Sequence, residues 1–290
     1  MKVAIIGYGF VGKALKDGLK GDLDIALIDP KLNTDIKDLI NFLPDIIFIS
    51  VPTPMNDDGT QDIKILESIV NELEKINTST LIVLKSTVLP NYLSEIKIKI
   101  PNIVYNPEFL RENFAKDDFI NSNLIIFGGN KKDTEALGHF YKNHTNCINT
   151  NYQFTDLISA SLIKYSINTF LSTKVVFFNE LHKIFNNSGS TGNWKDFVEI
   201  MMKDDRVGNS HMQVPGPDGK LGFGGPCFPK DTNALLQYSK QVDSHFSLLE
   251  KTISINNQIR SQYKSLSARE LEQNISFKDN SKNLNKGDAE

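Results

Sequence analysis

The stretch Lys2-Val3-Ala4-Ile5-Ile6-Gly7-Tyr8-Gly9-Phe10-Val11-Gly12 decides the fold. Its first half reads as a buried strand, and the glycines that follow stand in the spacing GxGxxG. Gly7 permits a tight turn out of the strand, Gly9 lets the backbone approach a pyrophosphate, and Gly12 allows the next helix, opened by Phe10 and Val11, to pack closely. The pattern alone is weak, but Asp29 ends the next apolar run at about the distance expected of a ribose-binding acid. There it would accept hydrogen bonds from both ribose hydroxyls and repel a 2′-phosphate, which favours NAD over NADP. Lys31 and Lys37 stand near enough to soften that preference, and a plain glycine turn with a solvated Asp29 is the structural alternative.

Outward from this turn, short runs rich in Val and Ile recur at residues 2–7, 24–29, 45–51, 80–85, 102–105 and 123–128. Helical patterns separate most of them; Ile65, Leu66, Ile69, Val70 and Leu73 repeat at three- and four-residue spacing. Strands alternating with helices predict a Rossmann-like, doubly wound parallel sheet. From Phe154 to Phe185 the pattern becomes one helical stretch without Pro or Gly, roughly 45 Å long at about 1.5 Å per residue. Such a length suits a spine between domains or a dimer contact. After Tyr263 the apolar periodicity is lost, and residues 274–290 are mostly Asn, Lys, Asp and Ser. The expected organisation is an α/β NAD-binding domain over 1–150, an α-helical central, dimerising domain over 151–264, and a disordered tail over 265–290.

With 40% apolar and 23% charged residues, the 290-residue chain can bury a sizeable core. A net charge of −3 provides no basic footprint for nucleic acid. No apolar run approaches the roughly 20 residues needed to span a bilayer. The N-terminus enters its first strand at once, so no signal peptide is expected. Two cysteines, Cys147 and Cys227, make no disulfide framework, and a reducing, cytoplasmic setting is expected. No metal site is expected either. Cys147, in Asn146-Cys147-Ile148-Asn149, reads as a packing residue.

Cys227 reads differently. In Gly222-Phe223-Gly224-Gly225-Pro226-Cys227-Phe228-Pro229-Lys230-Asp231 it stands among glycines, with a cation and a carboxylate three and four residues on. A thiol attacks only as thiolate, a nearby ammonium favours that form, and flexible glycines let a bulky substrate approach. Other candidates lie at strand ends, where an α/β sheet binds its ligands: Val51-Pro52-Thr53-Pro54 and Lys85-Ser86-Thr87. Either can equally be a turn. In Asn106-Pro107-Glu108-Phe109-Leu110-Arg111-Glu112 two carboxylates four residues apart would share a helical face, which suggests a ligand or a raised pKa, or else a solvated face. On the long helix Lys164 and Asn168, also four apart, can reach one oxyanion together, although a snorkelling lysine fits the same spacing.

Together these segments resemble the nucleotide-sugar 6-dehydrogenases, the UDP-glucose and GDP-mannose dehydrogenase family. The resemblance is carried by GYGFVG at Gly7, VPTP at Val51, KST at Lys85, NPEFLRE at Asn106, KYSINTFLSTKVVFFNE at Lys164 and GFGGPCFPKD at Gly222, and covers nearly all of residues 1–263. It implies oxidation of a sugar C6 alcohol to a carboxylate with two NAD molecules in succession, UDP-glucose being the leading substrate. Cys227 would hold the intermediate aldehyde as a thiohemiacetal, then a thioester. By the same resemblance Lys164 and Asn168 steady the C6 oxygen, Asp231 acts through a water as base, and Glu108 serves the hydrolytic step. Gly7, Gly9, Phe10, Val11, Gly12, Asp29, Thr53, Thr87, Glu112 and Lys230 would contact NAD. Glu108, Phe109, Leu110 and Arg111, with Lys164, Asn168 and Gly224, would contact the sugar nucleotide. Arg206 would reach it in the partner subunit of a homodimer built on the long helix.

Two departures accompany the match. The family normally has a third, C-terminal α/β domain that helps hold the nucleotide, and no residues are expected to remain for it after Tyr263. The nucleotide would then be held by the loop Pro215-Gly216-Pro217-Asp218-Gly219-Lys220, the long helix and a partner subunit, or by a domain on another chain, or weakly. Asn113 stands where the family usually has Gly, with little expected effect because Asn tolerates left-handed geometry. Two other functions stay open: an NAD-binding partner subunit without activity of its own, and a β-hydroxyacid dehydrogenase that uses Lys164 without a thioester.

Overall fold

The computed structural model describes residues 1–76, 80–111 and 114–278. Among them the chain runs β1 (Lys2–Ile6), α1 (Phe10–Gly18), β2 (Asp24–Ile28), α2 (Asp38–Phe42), β3 (Ile46–Ile49), α3 (Lys64–Ile76), β4 (Leu81–Leu84), α4 (Pro90–Lys99), β5 (Ile103–Tyr105), α5 (Ala115–Ile120), β6 (Ile126–Gly128), α6 (Lys131–His144) and β7 (Gln153–Thr155). Helices α7 (Leu157–Asn187), α8 (Trp194–Met201), α9 (Phe228–Gln241), α10 (Ser247–Arg260) and α11 (Ala268–Glu272) follow. No helix is long and apolar enough to cross a membrane among the described residues.

The expected doubly wound sheet is present, in the order β2-β1-β3-β4-β5-β6-β7. Alternation along each strand divides its core in two. Ala4 and Ile6, Ile47 and Ile49, and Ile82 and Leu84 face α2, α3 and α4; Val3 and Ile5, Ile46 and Phe48, and Val83 face α1, α5 and α6. Both faces are buried, which is why the strands read as continuous apolar runs. The chain reverses its direction of travel between β1 and β3, so the glycine turn after β1 lies at the switch point where such sheets bind ligands.

One strand pair departs from the parallel expectation: β5 and β6 meet antiparallel, through Tyr105 and Gly128. A parallel return needs a covering crossover. Here the connection includes an irregular run and the six-residue α5, which docks on α1 with Phe119 against Gly18. β7, parallel to β6, was not expected, because Phe154 reads as the start of the long helix. That helix, α7, instead begins at Leu157 and has 31 residues.

The chain divides into two compact units, Met1–Thr53 with Gln61–Lys164, and Pro54–Thr60 with the chain from Tyr165 on. In the second, Phe178, Val198, Met212 and Val214 form a core beside Trp194 and Phe197. The Pro54–Thr60 loop is tied in by Met55 N–H donating to the Gln273 carbonyl (3.1 Å) and Gln237 Nε2 donating to the Asp58 carbonyl (3.1 Å).

The expectation of disorder from residue 265 is corrected as far as Lys278. Ser267 and Glu270 form a reciprocal capping box that starts α11, and Ile275 is buried. Lys220 Nζ donates to the Ser265 carbonyl, and Asn257 Nδ2 to that of Lys278. Long-range caps and bonds hold this segment in place of an amphipathic pattern, so periodicity could not reveal it. Residues 279–290 lie outside the described residues.

Candidate active site

In the first unit the glycine turn is built by backbone proximity. Gly7 has φ +88°, and a Cβ there would meet the Ser50 carbonyl oxygen at 2.8 Å; one on Gly12 would lie 2.1 Å from the Gly7 oxygen. Ser50 Oγ donates to that same Gly7 oxygen (2.9 Å), joining the ends of β1 and β3. Around Gly9, by contrast, a Cβ would find no atom within 4 Å, and no side chain caps the start of α1. Open space above uncapped amides fits a pyrophosphate. Phe10 and Val11 follow as the first residues of α1.

Asp29 stands at the end of β2, as expected. Its Oδ2 accepts the Tyr8 N–H (2.7 Å) and its Oδ1 the Lys31 N–H (2.9 Å), so the carboxylate is aimed and held by the turn itself. Each oxygen keeps acceptor capacity for a ribose hydroxyl. Thr53 is buried, and its Oγ1 donates to the Thr87 carbonyl at 2.9 Å, while Gln61 Nε2 donates to the same oxygen at 2.7 Å. The loops after β3 and β4 are thus stitched together at the carboxyl edge of the sheet.

The segment 106–111 is not helical, so the expected helical face shared by Glu108 and Glu112 does not form on its described side. Side chains take its amides in place of i−4 carbonyls: Glu108 Oε2 accepts the Leu110 N–H (2.6 Å) and Asp118 Oδ2 accepts the Arg111 N–H (2.7 Å). Glu112 and Asn113 lie outside the described residues. Glu108 finds a different partner, Lys164, whose buried Nζ is 3.8 Å from its Oε1 and donates to its backbone carbonyl (2.5 Å). The same ammonium lies 5.0 Å from the centre of the Phe109 ring. A snorkelling lysine is thereby excluded. Leu110 packs on the core, whereas the Arg111 guanidinium is exposed and paired with Asp118.

Lys85, just past β4, is also buried; the sequence placed it in a candidate strand end, Lys85-Ser86-Thr87, without a role of its own. Its Nζ donates to Asn106 Oδ1 (2.8 Å) and reaches Tyr141 Oη at 3.3 Å. Burial pulls its pKa down to about 8, against an upward pull from the Glu108 carboxylate. A narrow cleft lined by Lys85, Asn106, Glu108, Tyr141 and Cys147 runs beside it. Cys147 behaves as the packing residue it resembled: burial raises its thiol pKa, and Sγ donates to the Phe119 carbonyl (3.2 Å).

In the second unit Cys227 caps α9, whose first turn carries Lys230 and Asp231. All three polar groups around this turn are buried: Lys230 Nζ donates to Asp231 Oδ1 at 2.5 Å, and Asn168 Nδ2 donates to Asp231 Oδ2 at 2.6 Å. Lys230 and Asp231, expected to part in role, are joined in one ion pair. The glycines before Cys227 are held by side chains. Asn179 Oδ1 accepts the Gly222 N–H, Asn256 exchanges two bonds with the Phe223 backbone, and Arg260 Nη2 donates to the Gly222 carbonyl. Gly224 is shaped by close approach, since a Cβ would lie 2.7 Å from Arg260 Nη2. Arg206 is exposed and pairs with Asp204. The signal that located Cys227, Lys230 and Asp231 was local spacing; Arg260 and Glu270, more than 30 residues away, left none.

A glycine turn at a switch point, open above an uncapped helix start, belongs to the dinucleotide-binding dehydrogenases as a class. Residues 17–145 match the NAD binding domain, and residues 158–258 the central domain, of the UDP-glucose/GDP-mannose dehydrogenase family. A UDP-glucose 6-dehydrogenase of Rickettsia conorii is 37% identical over 221 residues, covering 74% of this chain and 49% of that protein. The putative UDP-glucose 6-dehydrogenase YtcA of Bacillus subtilis is 30% identical over 301 residues, 89% of this chain and 68% of its own. The solved UDP-glucose dehydrogenase of the hyperthermophilic archaeon Pyrobaculum islandicum shares the fold, with a TM-score of 0.76 at 23% identity over 89% of this chain and 68% of that one. This chain belongs to the UDP-glucose/GDP-mannose dehydrogenase family. It spans about half the length of the first curated relatives it matches.

Proposed function

We propose that the chain oxidises the C6 alcohol of a nucleotide sugar, UDP-glucose foremost, to the carboxylate. The observation that carries this reading is the buried Asn168–Asp231–Lys230 network on the first turn of the helix that Cys227 caps. A thiol for covalent capture and a carboxylate for proton transfer thus share one rigid turn. NAD, bound at Gly7, Gly9 and Gly12 with Asp29 on its ribose, would supply the hydride acceptor for each of two oxidations.

The protein's own groups would act as follows. Asp231, through a water, takes the hydroxyl proton as the C6 hydride leaves, and the alcohol becomes an aldehyde. Cys227 Sγ then bonds to C6, and the carbonyl oxygen gains a proton to give a thiohemiacetal. Loss of that proton with the second hydride yields a thioester. Water adds to the thioester, the C–S bond breaks, thiolate departs and the carboxylate remains. Lys164 and Asn168, one turn apart on α7, offer N–H donors to the developing oxyanion; Glu108, fixed by Lys164, serves the hydrolytic step. Phe109, Leu110, Arg111 and Gly224 contact the sugar nucleotide, and Thr53, Thr87, Glu112 and Lys230 the cofactor.

The reading includes a homodimer on α7, with Arg206 serving the partner's site, and a reducing cytoplasmic setting that suits two free thiols. Incubation with NAD and a panel of nucleoside-diphosphate hexoses tests it. Two NADH per UDP-glucose are expected, and Cys227→Ala should lose the second oxidation. A wild-type preparation that forms no NADH with any such sugar overturns the proposal.

A further inference from the structure

Glu270 is a buried carboxylate that the chemistry above does not use. It lies beyond residue 258, where the family match ends, in a stretch whose sequence shows no periodicity. In a capping box the glutamate ordinarily serves only its own helix start, reaching back to the N-cap amide. Here Oε2 does that, accepting the Ser267 N–H at 2.7 Å. Oε1 turns the other way and accepts the Gly225 N–H at 2.9 Å, two residues before Cys227. Gly225 has φ +75°, a conformation that glycine adopts without strain and that its neighbours must hold in place.

We propose that Glu270 is a positioning residue for Cys227: its carboxylate clamps the Gly225 amide and so sets the glycine turn that delivers the thiol at the start of α9. The proposal rests on the reading of Cys227 as the nucleophile. The glycine turn takes its bonds from side chains on three helices, Asn179, Asn256 with Arg260, and Glu270. Of the anchored positions, Gly225, held by Glu270, is the nearest to the cysteine, two residues before it. A Cβ on Gly224 would lie 2.9 Å from Glu270 Oε1, so carboxylate and turn are packed in direct contact. One carboxylate thus serves both the α11 cap, through Oε2, and the turn, through Oε1. Removal of Glu270 leaves two part-buried amides without their acceptor.

The test compares Glu270→Ala, Glu270→Gln and Ser267→Ala in the full chain. Glu270→Ala is expected to lower kcat at least tenfold while the KM for NAD stays within twofold. Amide hydrogen exchange in the peptide containing Gly225 should accelerate at least tenfold. Alkylation of Cys227 by iodoacetamide, followed by peptide mapping, should speed up at least threefold as the turn opens. Glu270→Gln, which keeps one acceptor oxygen, should fall between, and it serves as the reporter if the alanine variant does not fold. Ser267→Ala weakens the cap but leaves the Gly225 clamp, so it should lower Tm and keep wild-type kcat and alkylation. Unchanged exchange and alkylation in a folded Glu270 variant overturn the proposal, as does unchanged kcat where the wild type is active. If the wild type oxidises no nucleotide sugar, the assigned reaction fails, and exchange and alkylation still decide the role of Glu270.

Discussion

Lys85 is held just past β4 with its ammonium against Asn106 and Tyr141, 3% exposed, and its pKa falls from 10.5 to about 8 because burial penalises the charged form. Between those two values the unfolded chain holds more protons than the folded one, so this group's contribution to stability rises with pH across that window. Below about pH 8 the cost of burying the charge is borne in full. The unfolding free energy of the wild type minus that of Lys85→Met is therefore expected to climb from pH 8 to 10.5, with a slope of up to about 1.4 kcal/mol per pH unit. Urea unfolding at a series of pH values measures it; a flat difference would mean that Lys85 reaches water in the folded chain. At this scale the grouping of Cys227, Lys230 and Asp231 at the start of one helix was legible in the sequence. Lys85 and Glu270 were not, since a charged side chain is read as exposed until its buried partners are known.

The glycine turn illustrates how one motif joins two kinds of requirement. At Gly12 an added methyl would lie 2.1 Å from the Gly7 oxygen, a backbone atom that cannot swing aside. Gly12→Ala should therefore cost ~1–3 kcal/mol of stability by overpacking, and it should weaken NAD at least tenfold as α1 moves off β1. Gly9 borders open space, so Gly9→Ala should stay within about 1 kcal/mol of wild type and still lose NAD affinity. Calorimetric titration beside chemical unfolding separates the two variants; equal destabilisation would refute the distinction. Helix α3 was legible from its regular apolar spacing, and α7 from a long stretch without Pro or Gly. β7 and the antiparallel β5–β6 pair were not. Three-residue strands carry too little pattern, and their direction depends on where α5 docks.

On the whole molecule, α7 presents Phe170, Phe177 and Ile184 at seven-residue intervals, and each is more than half exposed. Large apolar side chains in one heptad position form a stripe suited to a second helix. The proposed homodimer predicts that Phe170→Glu with Phe177→Glu shifts the chain from dimer to monomer in sedimentation velocity. The cores of Val198 and Met212 are untouched, so the far-ultraviolet helical signal should persist. A wild-type monomer at micromolar concentration would remove this role from the stripe.

The amino-acid sequence by itself determined the doubly wound sheet, the dinucleotide turn and the placement of a cysteine ahead of a lysine and an aspartate. Those features follow from periodicity and from spacings of five residues or fewer, where local geometry already dictates which residues are neighbours. Tertiary structure alone decided that Glu108 would meet Lys164, that Asn168 would meet Asp231, and that Glu270 would close on Gly225. Each pair is separated by more than 40 residues. Its members meet only because buried charges and amides must find partners once packing has removed water from around them.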